Sequence, residues 1–145
     1  MREAIEIILQ IILAAALGGL LGLEREFGKK EAGLRTYMLV CIGSCLFTIL
    51  AFLSLNIFGE YKSNLDPLRV IQAVAIGIGF IGSGVIIFRR DHVEGLTTAA
   101  GLWLVAAIGV AVGLKLYFLA TFTSFLGLLI LAGLLLIERR MLRKK

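Results

Sequence analysis

Along this chain, polar residues fall in short clusters that separate five long apolar runs, at 4–23, 37–58, 70–88, 96–114 and 116–137. An α-helix rises about 1.5 Å per residue, so about 20 apolar residues cross a hydrocarbon core about 30 Å thick. Backbone groups in lipid must be satisfied within the segment, so these runs predict helices. Only the first run holds a charge, Glu6, near its start. The last boundary is the least marked. Lys115, between Gly113 and Tyr117, predicts a tight turn, and a single bent helix over 96–137 is the competing reading. The expected fold is an all-α, polytopic integral membrane helix bundle of about five transmembrane helices, forming one domain over 1–145.

The intervening clusters give the bundle a direction. With five spans, the side holding the N-terminus carries four basic residues, Arg2, Lys62, Arg69 and Lys115. The other side carries eleven: Arg25, Lys29, Lys30, Arg35, Arg89, Arg90 and the five in the tail. Positive charge is retained in the cytoplasm, which predicts the N-terminus outside and the C-terminus cytoplasmic. Merging the last two spans would weaken that bias, an independent argument for five.

Composition agrees with the pattern. The chain is 59% hydrophobic and 17% charged, against about half and about a quarter in soluble domains. Seventeen glycines suit close helix approach in lipid. The first run ends in Glu24-Arg25-Glu26 with no small-residue cleavage site, and reads as a retained span rather than a signal peptide. The basic tail over 138–145 reads as a stop signal beside the headgroups; a nucleic-acid patch is the weaker alternative, and no nucleic-acid partner is expected.

Candidate chemistry is sparse. Cys41 and Cys45 share a helix face and read as packing residues, without metal spacing. Gly77-Ile78-Gly79-Phe80-Ile81-Gly82 matches the dinucleotide fingerprint in letters. That motif needs a preceding strand, so inside an apolar run it reads as a bare helix surface, with Gly84, open to another helix backbone or to a break. Gly18/Gly22 and Gly109/Gly113 are further small pairs, suited to packing within the chain or to a homodimer. Asp66 followed by Pro67 reads as a helix N-cap, with Leu65 stapling to Val70; an Asp66–Arg69 pair is the functional alternative. Glu24 and Arg35 sit at the expected lipid boundary, where an unpaired charge is costly, and so predict a semi-buried network with Arg89 or Thr97/Thr98. Gln72 is the most polar residue of the middle spans. His92 lies in a charged loop and reads as solvated, and no catalytic set is evident. Shifting the chain by 62 aligns Gln10 with Gln72, Gly22 with Gly84, Gly33-Leu34 with Gly95-Leu96, and Thr36 with Thr98. This suggests a parallel internal repeat.

Several of these segments, taken in order, resemble one family. They are Gly22-Leu23-Glu24-Arg25-Glu26, Gly33-Leu34-Arg35-Thr36, Asp66-Pro67-Leu68-Arg69, the glycine run 77–84, and Gly95-Leu96-Thr97-Thr98-Ala99-Ala100. Together with Leu102-Trp103 and the segment 106–109, they resemble the MgtC/SapB family of membrane proteins over about 18–113. The resemblance implies a multi-pass protein of the bacterial inner membrane, linked to growth under magnesium limitation and, in pathogens, to virulence. It implies a regulator rather than an enzyme, without cofactor or metal, whose partners are other membrane proteins, including the proton-translocating ATP synthase. It marks Glu24, Arg25, Glu26, Arg35, Thr36, Asp66, Arg69, Thr97 and Thr98 as motif candidates, to which the polarity of Gln72 adds one more. Longer family members carry a soluble C-terminal domain, which this chain is expected to lack. Glu94 departs from the basic residue expected there. Two functions stand: a regulator working through contacts along the third span, and a transporter or channel component for magnesium or another ion.

Overall fold

A computed structural model of the chain describes residues 1–57, 66–88 and 90–133. Leu65, Arg89, the end of the fifth run and the basic tail lie outside the described residues. Among the described residues there are five α-helices: α1 (Arg2–Phe27), α2 (Leu34–Ile57), α3 (Pro67–Gly84), α4 (Leu96–Gly113) and α5 (Tyr117–Leu128). A π-helical turn, Leu129–Gly133, continues α5. The first four are long and apolar enough to cross a membrane. α4 and α5 are separate helices, which removes the single bent helix. The molecule is an all-α membrane bundle.

Two helix ends explain how the chain reverses without glycine. At the end of α1, Lys29 is left-handed (φ 50°). Its N–H bonds Glu26 O at 3.0 Å, and the Lys30 N–H bonds Arg25 O at 3.0 Å. At the end of α4, Lys115 is left-handed (φ 63°). Its N–H bonds Val112 O at 2.9 Å, and the Leu116 N–H bonds Ala111 O at 2.9 Å. Both are Schellman closures, which satisfy the orphan carbonyls of the last turn.

The third element corrects the sequence expectation. α3 stops at Gly84, and Ile87–Phe88 forms a short antiparallel ladder with Val93–Glu94. Val85 ends the helix still in helical conformation, and the β-branched Ile86 and Ile87 that follow favour extended backbone. The hairpin closes on Gly95 (φ 85°), where a Cβ would overlap the Val85 carbonyl oxygen.

α2 is the axis of the core. From one side a Cβ on Gly18 would lie 2.7 Å from Cys41 Cβ, and one on Gly22 2.8 Å from Leu34 Cα. From the other side Gly109 abuts the Cys41 carbonyl, and a Cβ on Gly113 would lie 2.7 Å from Thr48 Cβ. Both glycine pairs are therefore used within the chain. Leu21, Tyr37, Cys41, Cys45, Leu102, Val105 and Val112 are fully buried between these helices. α3 is peripheral, with only Ile78 and Gly82 buried. Gly82 makes ordinary contact with Ala99, whereas Gly77, Gly79 and Gly84 have nothing within 4 Å of where a Cβ would sit. The run is therefore split: Gly82 meets α4 of the same chain, whereas Gly77, Gly79 and Gly84 are left open.

The proposed repeat survives only locally. Leu34 and Leu96 each open a helix after glycine, but Gln10 is buried and Gln72 exposed, and Gly22 is tightly packed whereas Gly84 is open.

Candidate functional site

The polar side chains gather at the two ends of the bundle. At the end formed by the 28–33 loop, the hairpin and the start of α4, Arg25 is only 1% exposed although it carries a full charge. Its Nε donates to Glu24 at 2.5 Å, the pairing expected of a charge at a lipid boundary. Glu26 accepts from the Leu34 N–H at 3.0 Å and so serves a donor at the open end of α2. A Cβ on Gly33 would overlap the Glu26 carboxylate, which would have to swing aside.

Thr98 ties this loop to α4. It is 1% exposed, and its hydroxyl donates to Glu31 at 2.5 Å. The Tyr37 hydroxyl donates to the Thr98 carbonyl at 3.3 Å. The Thr98 hydrogen bond is the main cause holding the Glu31 carboxyl below its ordinary value, aided by Lys30 and Arg25 and opposed by desolvation. Arg25, Glu31 and Thr98 border a recess of about 650 Å³ that also includes Lys30, Thr97, Leu96 and Ile130.

The opposite end is held by an amide. Gln10, 2% exposed, donates through Nε2 to Val112 O at 2.9 Å and to Gly113 O at 3.3 Å. Lys115 pairs with Glu6 at 2.7 Å, and Glu6 raises the Lys115 pKa by hydrogen bonding first and by charge second. An amide inside an apolar helix thus closes the carbonyl end of α4, where lipid offers no water to do so.

The structure places the sequence candidates unevenly. Glu24, Arg25, Glu26, Thr97 and Thr98 lie at the first end, with Thr97 exposed at the recess. Arg35 is exposed and makes no ion pair among the described residues, so it does not join the expected semi-buried network with Thr97/Thr98; the alternative partner, Arg89, lies outside the described residues. Arg25, next to Glu24, takes the place of Arg35 because it points inward from the last turn of α1, whereas Arg35 starts α2 on its outer face. Thr36 is half-buried in the first turn of α2. Asp66 caps α3, accepting from the Leu68 N–H at 2.9 Å, and its contact with Arg69 is 4.0 Å and exposed. Gln72 is exposed on α3. Glu31, Lys30, Tyr37 and Gln10 were not among the candidates. A lone amide in an apolar run was the available signal for Gln10; Glu31 and Lys30 look like any solvated loop charge.

Fold and polar ends together define a multi-pass membrane bundle with a buried ionic cluster at one end. The chain belongs to the MgtC family, which matches residues 11–140. It is 43% identical over 132 residues to the putative magnesium transporter YhiD of Escherichia coli (strain K12), covering 87% of this chain and 59% of that protein. It is 39% identical over 127 residues to protein SapB of Bacillus subtilis, covering 86% and 54%. With protein MgtC of Brucella abortus it shares 42% identity over 100 residues, covering 69% and 39%. The chain therefore spans less than two thirds of the length of these relatives. No solved structure matches it.

Proposed function

We propose that this chain is a non-enzymatic regulator of the bacterial inner membrane that acts by binding the transmembrane helices of other membrane proteins during adaptation to low magnesium. The observation that carries the reading is the exposed surface of α3, where Gly77 and Gly84 on one side and Gly79 on another have open space at the Cβ position. Lipid tails gain nothing from bare backbone, but a second helix can approach it closely. Alongside lies an apolar groove of about 580 Å³ between α2 and α3, bordered by Gly43, Phe47, Gly77 and Phe80. The family resemblance makes the proton-translocating ATP synthase the first partner to try.

Ion transport is the second reading, and it draws on the name of the E. coli relative. Against it, the core between the two polar ends is filled by Leu21, Leu102, Val105, Ile108 and Val112, each no more than 1% exposed. The test is photo-crosslinking in native membranes from Phe80, which is 82% exposed, alongside Mg²⁺ flux into liposomes holding the purified chain. We expect crosslinks to a membrane protein that Gly79→Leu abolishes, and no flux. Mg²⁺ uptake that disappears in Gly79→Leu would overturn the regulator, and crosslinks only to a second copy would replace it with a homodimer.

A further inference from the structure

The recess beside Arg25 is not explained by packing. A buried guanidinium normally uses its five donors, because an unmet polar group in a low-dielectric setting is costly. Arg25 uses one, Nε, on Glu24; its two terminal nitrogens make no hydrogen bond to the described residues, and since no buried side-chain nitrogen among those residues lacks a partner, they are accessible from the recess. Yet the side chain is 2% exposed and borders the recess. Lys30 borders the same space and forms no ion pair among the described residues. α4 opens onto it from Gly95 without a side-chain cap, which leaves amide donors of its first turn facing that end.

The cations are balanced. Glu31, which spends one carboxylate oxygen on Thr98, and Glu94 also border the recess. Arg25 is already paired with Glu24 and Glu94 with His92, so Lys30 and Glu31 are the cation and the carboxylate of the recess that make no ion pair among the described residues, and one charge of each sign favours a guest that carries both. The rim adds a third property, since Leu96 is 58% and Ile130 46% exposed, and they present aliphatic surface at the end of the membrane-spanning helices.

We propose that this recess binds the headgroup of an aminophospholipid. Its phosphate lies on Arg25 and Lys30, its ammonium donates to Glu31, and its acyl chains run along Leu96 and Ile130. A phosphate on a guanidinium forms charge-assisted, often bidentate hydrogen bonds. A primary ammonium donates to a carboxylate in a way that a trimethylated one does not.

The test is native mass spectrometry of the full chain in detergent, titrated with phosphatidylethanolamine, phosphatidylcholine or phosphatidylglycerol. Phosphatidylethanolamine should be retained about tenfold better than either of the others, a difference of about 1.4 kcal/mol. Lys30→Gln and Arg25→Gln should each lower its retention by about tenfold. Glu31→Gln should abolish the preference over phosphatidylcholine. If Arg25→Gln does not fold, the exposed positions Lys30 and Glu31 carry the test. Equal retention of phosphatidylethanolamine and phosphatidylcholine, or a lead for phosphatidylglycerol, overturns the proposal. Displacement of the lipid by soluble phosphoethanolamine at similar concentration would overturn the lipid as source and assign the recess to a free zwitterion.

Discussion

At the scale of single residues, the chain uses polar groups to end helices and uses glycines to bring them together. Gln10 does in lipid what water does for a soluble helix, and Glu26 does the same for α2. Glu31 is a further carboxylate at the same end as Glu26. Its folded pKa is held below the ordinary 4.5, so its stabilisation is fully present above that value and is lost as pH falls through the depressed one. The melting temperature in detergent should therefore fall on acidification below about pH 4.5, and Glu31→Gln should lose less over the same range. An identical acid limb in the variant would assign the loss to other carboxylates.

At the scale of elements, two glycine sets that look alike in sequence do opposite work. Gly109 and Gly113 let α4 touch α2, so Gly109→Val should cost about 1–3 kcal/mol by overpacking. Gly77 stands in open space, so Gly77→Ala should be neutral or stabilise by up to about 1 kcal/mol through helix propensity. Thermal melting of both variants checks this, and equal destabilisation would show that α3 packs inward. The periodicity of a helix reveals which residues share a face, but not whether that face meets protein or lipid, because both are apolar. For the same reason the end of α3 was misplaced by four residues: Val85 to Phe88 are as hydrophobic in a hairpin as in a span.

At the scale of the molecule, the charge asymmetry predicts the orientation. A cysteine replacing Lys115 should react with an impermeant maleimide added outside the cell, and one replacing Lys30 only after permeabilisation. Native Cys41 and Cys45 are both fully buried and should stay silent. Labelling of the Lys30 position in intact cells would reverse the topology. The same view links the two ends of the bundle. Arg25 and Thr98 close one, Gln10 and Lys115 close the other, and a dry core separates them.

Hydrophobic run length alone determined that the chain is a helical membrane protein, since about 20 apolar residues have few other stable fates in lipid. The local chemistry of Asp66-Pro67 also determined where α3 begins, because a cap acts within one turn. Only the tertiary structure decided that Arg25 and not Arg35 is buried, that Glu31 rather than Glu24 holds Thr98, and that Gly77, Gly79 and Gly84 of α3 stand open while Gly82 meets α4. Those outcomes depend on which helix lies beside which, across separations such as the 67 residues between Glu31 and Thr98, and no local pattern encodes that proximity.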